Sequence, residues 1–215
     1  NTGMVFVGKK LGLSNLISYF EKFGIGKRTG IDLQGEVASQ LRDKDSWYEI
    51  DAATATFGQG ISVTSLELLT AVNSIANDGI LMKPYVVSKI IDSEGKTIEI
   101  KPEEVKRTIS SAAAKAVNLM MVNAVENGEA KFAKIKNYKI AGKTGTAQIP
   151  VAGHYDPNQT IASFIGFFPS EKPQISMFVI IKRPQSSIYG ADTAAPVFFS
   201  VARDIINYYN IAPSN

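Results

Sequence analysis

Three successive strand-like runs in the last third of the chain constrain its fold more than any other feature of the sequence. They cover residues 138–149, 160–168 and 175–182, are rich in apolar and β-branched residues, and are joined by short connections. Successive strands with short links usually pair as antiparallel neighbours, because a parallel return needs a long crossover. Apolar residues at helical spacing then predict a closing helix over residues 193–209.

The segments ahead of this block are predicted to be mainly helical. Helical spacing of apolar residues predicts one helix over residues 3–23 and another over about residues 110–128. Between them, Thr64 and Glu67 match a capping box, which predicts the start of a helix that stops at Gly79. The apolar residues expected on the buried side of that middle helix are Leu66, Leu68, Leu69, Val72 and Ile75.

A β-hairpin is predicted between the helix that stops at Gly79 and the helix over about residues 110–128. Two β-rich runs, residues 84–91 and 96–100, flank the turn-forming segment 92–95. Residues 24–48 are predicted to be loop-like, because glycines interrupt the chain there and polar residues follow. Strands grouped in one block, with helices before and after it, are typical of the α+β class. We therefore predict an α+β fold in which an antiparallel sheet is flanked by helices.

Composition excludes several kinds of site. The 215 residues include no cysteine and one histidine, so no disulfide, thiolate or sulfur-ligated metal is available, and neither a metal nor a cofactor is predicted. The histidine, His154, is interpreted as an exposed loop residue. The net charge of +3 is small and no basic stripe is clustered, which argues against nucleic-acid binding. Four lysines within residues 131–139 are interpreted as a solvated helix end and strand face, with a binding patch as the alternative.

The segment over residues 141–147 is the most informative for function. It lies within a β pattern, yet its side chains are small except for Lys143, Thr144 and Thr146. Glycine inside a strand often marks the close approach of a ligand or another backbone, and an edge strand can pair with an extended peptide. Lys143 would offer a cation to a carboxylate, and the two threonines would offer hydroxyls.

Two other interpretations fit parts of this segment. Residues 142–144 match the end of a phosphate-binding Walker A loop, but that loop requires a glycine five residues before Gly142, where Asn137 stands, and no helix pattern follows. A plain structural strand is the second alternative.

The tripeptide Lys143-Thr144-Gly145 resembles the K-T-G motif of penicillin-binding proteins and serine β-lactamases. Residues 57–64 resemble the F-G-Q-G-I-x-V-T-P segment of the penicillin-binding proteins, with Ser65 in place of the proline. Residues 27–36 resemble their K-T-G-I-D-L-P-G-E loop, with Gln34 in place of the proline. Further resemblances are found at residues 162–167, 189–190 and 194–198. The likeness covers nearly all of the chain and points to the C-terminal portion of one transpeptidase domain of the monofunctional (class B) type.

The resemblance implies a penicillin-binding and serine β-lactamase-like transpeptidase fold whose N-terminal part is missing. It also implies that Lys143, helped by the hydroxyls of Thr144 and Thr146, holds the substrate carboxylate, and that Gly145 lets the substrate lie close. The backbone N–H of Thr146 is implied to be an oxyanion-hole donor. Asn1 is predicted to be the last residue of the family's S-x-N motif. The catalytic residues predicted in this chain are therefore Asn1, Lys143 and Thr146.

The family's nucleophile, the serine of an S-x-x-K motif at a helix N-terminus, is expected to lie upstream of Asn1. The only S-x-x-K in the sequence starts at Ser93, within the predicted hairpin turn. A helix would bring Lys96 onto the same face as that serine, and a glycine-containing turn does not. The chain alone is therefore expected not to form a covalent adduct with a labelled penicillin.

The function that the resemblance implies is peptidoglycan D,D-transpeptidation in cell-wall synthesis. The implied partners are stem peptides ending in D-Ala-D-Ala and β-lactams, and the implied location is the extracytoplasmic face of the inner membrane in the bacterial cell envelope. No apolar run is long enough to span a membrane, so an anchor is expected in the parent protein. Two alternatives stay open: a serine β-lactamase or D,D-carboxypeptidase, and a non-catalytic penicillin sensor. Residues 27–36 and 57–64 favour the transpeptidase.

The last predicted strand, residues 175–182, carries a further expectation. In the family the sheet takes strands from both sides of the nucleophile, so this strand is expected to lack its upstream partner. Its residues Ile175, Met177, Val179 and Ile181 would then form an apolar edge, and such edges promote association. Self-association of the chain is therefore expected.

Overall fold

The structure of the chain is a computed structural model that describes residues 1–151 and 154–214. The chain divides into two compact units, Asn1–Ser110 and Ser111–Asn215. Helices and antiparallel strands occur in both units, which confirms the α+β class. Among the described residues, no helix combines the length and the apolar character that crossing a bilayer requires.

The first unit begins with two helices, α1 (Thr2–Leu11) and α2 (Leu13–Lys22). The prediction of one continuous helix over residues 3–23 was wrong, because the chain breaks at Gly12. Gly12 has φ 81° and ψ 150°, a conformation that side-chain-bearing residues rarely adopt. The apolar spacing continues through this break, so periodicity alone did not reveal it.

Two further helices follow, α3 (Glu49–Ala55), which was not predicted, and α4 (Ser65–Ala76). The capping box of α4 is confirmed: the Glu67 amide donates to Thr64 Oγ1 at 3.2 Å and the Thr64 amide donates to Glu67 Oε2 at 2.7 Å. The predicted buried face of α4 was wrong, since the five apolar residues assigned to it are only half-buried. The residues of α4 that are buried are Glu67, Thr70, Ala71 and Ser74.

The first unit also contains two small antiparallel sheets. One is the predicted hairpin, in which β2 (Lys89–Ile91) pairs with β3 (Thr97–Glu99). The other, which was missed, pairs β1 (Ile80–Lys83) with β4 (Glu103–Arg107). All five residues of β4 are exposed and four of them are charged, so that strand has no buried face for a sequence pattern to report.

The loop over residues 27–36 is held by carboxylates that accept backbone N–H groups. Asp32 accepts from the amides of Val86 and Val87, both at 2.8 Å. Glu36 accepts from the amide and hydroxyl of Thr29, both at 2.6 Å, and from the Gly30 amide at 3.1 Å. Residues 27–36 therefore lack regular secondary structure, as predicted, but are fixed by these hydrogen bonds, whereas the rest of the predicted loop includes a short 3₁₀ helix at Lys44–Ser46.

The second unit consists of α5 (Ser111–Asn127), β5 (Ala141–Val151), β6 (His154–Phe168), β7 (Ile175–Lys182) and α6 (Ala194–Tyr208). The three strands form one antiparallel sheet in the order β5-β6-β7, as predicted from their short connections. The register of β5 against β6 shifts between Gln148 and Ile149. His154 is exposed, as predicted, but its assignment to a loop was wrong, because it is the first residue of β6 and pairs with Val151.

The core of the second unit lies between α6 and one face of this sheet. The ring of Phe164 on β6 lies 4.6 Å from that of Phe198 and 5.2 Å from that of Phe199, measured between centroids. A Cβ on Gly166 would lie 2.5 Å from the Ala141 carbonyl oxygen and 3.2 Å from the Phe198 ring, so only glycine fits there.

The β7 strand lies at one edge of the sheet, and among the described residues it pairs with β6 alone. The apolar side chains predicted to form an exposed edge are instead partly buried against the core, because alternate side chains of β7 face α6. These residues are Ile175, Met177, Val179 and Ile181. What stays open on this edge is mainly the backbone, together with Ile180, whose side chain is 40% exposed.

Candidate functional site

The strand predicted to carry the chemistry, β5, forms the other edge of the sheet and pairs with β6 alone among the described residues. Its glycines have a steric cause within the protein. A Cβ on Gly142 would lie 2.6 Å from the Phe164 ring, and a Cβ on Gly145 would lie 2.4 Å from Ser163 Oγ. The small residues therefore let β6 side chains lie across β5, which is a different reason from the predicted close approach of a ligand.

The backbone groups of β5 that face the open edge can be identified from the sheet register. The Arg183 amide donates to the Thr160 carbonyl at 2.8 Å, so Thr160 directs its backbone groups toward β7. The backbone N–H and C=O groups of successive residues point to opposite sides of a strand. It follows from the register of β6 with β5 and β7 that these groups of Gly142, Thr144 and Thr146 point away from β6. An extended ligand could pair with these groups.

Lys143 lies on this edge strand with its side chain exposed. Its Nζ donates to the Thr144 carbonyl at 2.9 Å and lies 3.3 Å from Thr144 Oγ1. The ammonium is therefore at the surface beside the outward-facing backbone of Thr144, where an anion can reach it.

Thr146 is exposed, and its hydroxyl accepts a hydrogen bond from the Gly190 amide at 3.0 Å. The hydroxyl proton is therefore oriented away from Gly190 and can donate to an acceptor such as a carboxylate. Lys143, Thr144, Gly145 and Thr146 thus form one continuous edge, as their adjacency in the sequence requires.

The segment between β7 and α6 supports this edge, a role that sequence reasoning missed. Thr160 Oγ1 donates to the Ile188 carbonyl at 2.6 Å, and Thr193 Oγ1 donates to the Tyr189 carbonyl at 2.7 Å. A Cβ on Gly190 would lie within 2.5 Å of the carbonyl oxygens of Gly145 and Ser163. Gly190 therefore sits directly on the β5–β6 backbone. The sequence signals were the family resemblance at residues 189–190 and a glycine shortly before the predicted closing helix, and neither indicated a contact with β5.

A second residue missed at this site is Glu129, which follows α5. Its side chain is exposed, and Thr144 Oγ1 donates to Glu129 Oε2 at 3.4 Å. A single charged residue between a helix and a strand has no periodic pattern, so the sequence offered no means of assigning it to the site.

The predicted catalytic residue Asn1 and the S-x-x-K serine Ser93, which is not expected to be the nucleophile, both lie in the first unit. Asn1 is exposed at the N-terminus of α1, where its side chain makes no capping hydrogen bond, and its catalytic role stays a prediction. Ser93 lies in the turn between β2 and β3, as the sequence predicted, and not at a helix N-terminus. The described part of the chain contains no group of three His, Asp or Glu side chains arranged to hold a metal ion.

Comparison with known proteins identifies the family. The family model of the penicillin binding protein transpeptidase domain matches residues 1–206. Stage V sporulation protein D of Bacillus subtilis is 35% identical over 216 residues, which cover 99% of this chain and 33% of that protein. Peptidoglycan D,D-transpeptidase FtsI of Escherichia coli is 33% identical over 215 residues, which cover 99% of this chain and 35% of that protein. The chain thus spans about a third of the length of these relatives.

The structural comparison agrees with the sequence comparison. The crystal structure of penicillin binding protein 3 from Mycobacterium tuberculosis in complex with ampicillin has a TM-score of 0.89 and 28% identity, over 98% of this chain and 49% of that one. The transpeptidase domain of penicillin-binding protein 3 from Burkholderia pseudomallei has a TM-score of 0.86 and 27% identity, over 99% of this chain and 62% of that one. The chain belongs to the penicillin-binding protein transpeptidase domain family.

Proposed function

We propose that the chain is the C-terminal portion of one peptidoglycan D,D-transpeptidase domain and supplies its substrate-binding wall. The observation that carries the proposal is the edge of β5, where an exposed Lys143 ammonium lies beside the outward-facing backbone groups of Thr144 and Thr146. This edge offers a cation, hydroxyls and main-chain amides to an extended peptide that ends in a carboxylate.

In the parent enzyme, a serine supplied from outside these residues attacks the carbonyl of the D-Ala-D-Ala bond of a stem peptide. D-Ala leaves with the serine's proton, and the amine of a neighbouring stem peptide then takes the acyl group and returns a proton to the serine oxygen. The chain's own contribution is positioning: Lys143, Thr144 and Thr146 hold the terminal carboxylate. The Thr146 N–H, which faces the open edge, donates to the oxyanion. Asn1 contributes from the S-x-N motif.

The proposed partners follow from the same chemistry. β-Lactams present a carboxylate beside a reactive carbonyl and would occupy the same edge. Peptidoglycan lies outside the cytoplasmic membrane, so the proposal assigns the chain to the extracytoplasmic face of the inner membrane, within an anchored parent protein. The names of relatives such as the Escherichia coli transpeptidase support the substrate class.

Replacing Lys143 with alanine in the parent protein tests this proposal. We expect the second-order rate of acylation by a fluorescent penicillin to fall on the order of ten- to a hundredfold, because a charge-assisted contact to the ligand carboxylate is lost. Lys136→Ala, which removes an exposed lysine outside β5, is the matched control and is expected to leave the rate unchanged. Equal rates for wild type and Lys143→Ala would contradict the proposal, as would covalent labelling of the isolated chain.

We expect the isolated chain to self-associate through the open edge of β7. Exposed edge strands pair with other chains, and a lysine on the edge opposes such pairing. In sedimentation velocity experiments, the average mass should rise with concentration for the wild type and stay monomeric for Ile180→Lys. Val201→Lys alters a residue of similar exposure on α6 and should behave as the wild type. A monomeric wild type at high concentration would exclude the association.

A further inference from the structure

Glu129 places a negative charge at the edge where the proposed substrate carboxylate would bind. Its Oε2 lies 3.4 Å from Thr144 Oγ1, and the same Oγ1 lies 3.3 Å from Lys143 Nζ. The Thr144 hydroxyl therefore lies between a cation and an anion. It accepts from the ammonium and donates its only proton toward Glu129.

This arrangement makes the two threonine hydroxyls of the edge unequal. The Thr146 hydroxyl accepts from the Gly190 amide, so its proton can donate to a ligand. The Thr144 proton is directed to Glu129, so it can reach a ligand carboxylate only by rotating away. The distance of 3.4 Å is longer than a typical hydroxyl–carboxylate hydrogen bond, so this rotation is not strongly opposed.

We propose that Glu129 determines specificity at the K-T-G edge by opposing the binding of ligands that end in a carboxylate. It does so mainly by repelling the ligand's negative charge, and to a smaller degree by competing with that charge for the Thr144 hydroxyl. The inference rests on the proposed function, since it concerns the same carboxylate-binding edge. With Glu129 present, we expect this edge to prefer acidic over neutral ligands less strongly than it would with Lys143 alone.

Titration of the isolated chain, followed by the backbone amide signals of Gly142, Thr144 and Thr146 in NMR spectra, tests the inference without any catalytic turnover. The probes are N-acetyl-D-alanyl-D-alanine and its C-terminal amide, which differ in charge but share their backbone groups. We expect Glu129→Gln to bind the acid about three- to tenfold more tightly than the wild type does, and the amide equally well. The gain should shrink as salt is raised, because both carboxylates are exposed.

The matched control is Glu126→Gln, which removes the same charge from a glutamate on α5. The Glu126 carboxylate lies 3.1 Å from Lys134 Nζ and is not among the contacts of Thr144. We expect this variant to bind the acid as the wild type does. A similar gain in both variants would mean that only net charge matters, and would overturn a specific role for Glu129.

The remaining outcomes separate this inference from the proposed function. Equal affinity of wild type and Glu129→Gln for the acid, with clear shifts of the edge amides in both, overturns the role of Glu129 and leaves the carboxylate site in place. Tighter binding of both the acid and the amide by Glu129→Gln would indicate a structural effect of the substitution, and it would also overturn the specific role of Glu129. If neither probe shifts the edge amides in any variant, the binding wall itself is refuted, and this inference with it.

Discussion

Replacing Glu67 with glutamine is expected to lower the free energy of unfolding of the first unit by about 3 kcal/mol. Glu67 is 1% exposed, and its carboxylate accepts hydrogen bonds from two separate loop segments in addition to the start of α4. The donors are the Gly26 amide at 3.2 Å, the Ser39 amide at 3.0 Å, the Ser39 hydroxyl at 2.9 Å and the Thr64 amide at 2.7 Å. Glutamine would turn an amide group toward these donors and leave some of them, which are half-buried, without an acceptor.

The loss should depend on pH in a defined direction. Burial by itself raises the pKa of the Glu67 carboxyl, but hydrogen bonds from Thr64 and Ser39 outweigh it and hold the pKa below its usual range. A lowered folded-state pKa means that the charged form stabilises the fold above the pKa of the unfolded chain, and that this contribution is lost as pH falls through the folded-state pKa. The difference between wild type and Glu67→Gln should therefore shrink in acid.

Denaturant unfolding followed by tryptophan fluorescence measures this effect. The sequence has a single tryptophan, Trp47, which lies in the first unit, so its emission reports that unit alone. Glu94→Gln, at an exposed glutamate in the turn between β2 and β3, is the control and should be nearly neutral. A midpoint for Glu67→Gln equal to that of the control would show that the carboxylate does not hold the loops.

Replacing Gly190 with alanine is expected to destabilise the second unit by about 3 kcal/mol. The added Cβ would lie 2.3 Å from the Gly145 carbonyl oxygen and 2.5 Å from the Ser163 carbonyl oxygen. Both are backbone atoms of paired strands, so a side-chain rotation cannot relieve the clash. Displacement of Gly190 would also break its hydrogen bond to Thr146 and loosen the edge that carries Lys143.

Calorimetry and hydrogen exchange distinguish this effect from a general loss of stability. We expect a lower unfolding temperature and faster exchange of the β5 amides in Gly190→Ala. Gly3→Ala is the control, since a Cβ there meets no atom within 4 Å and the residue lies in α1. Unchanged exchange and an unchanged unfolding temperature in Gly190→Ala would mean that the segment before α6 does not rest on the sheet.

The elements that the sequence predicted well are those whose signal is local. The capping box at Thr64 and Glu67 involves residues three apart, and the strands β5, β6 and β7 have apolar runs and short links. Other predictions failed because the interacting residues are distant in sequence. Glu67 lies on the buried face of α4 because the loop residues Gly26 and Ser39 donate hydrogen bonds to its carboxylate. The helical pattern of α4 contains no information about these loop residues.

The candidate site divides in the same way. Lys143, Thr144 and Thr146 could be found because they are adjacent and match a motif. Glu129 and Gly190 reach Thr144 and Thr146 only through the fold, across sequence separations of 15 and 44 residues. Even Gly145, which the motif did identify, has a packing role against Ser163 that the motif does not describe.

The register shift after Gln148 limits how long a partner β5 can accommodate. Outward-facing backbone groups occur at Gly142, Thr144, Thr146 and, by the same register, Gln148, where the regular ladder ends. The stretch from Gly142 to Gln148 extends over roughly 20 Å at the usual rise of a strand. A docked peptide therefore gains main-chain pairing over only a few residues, and lengthening it further should add little affinity. The geometry favours the recognition of a chain terminus over that of an internal segment.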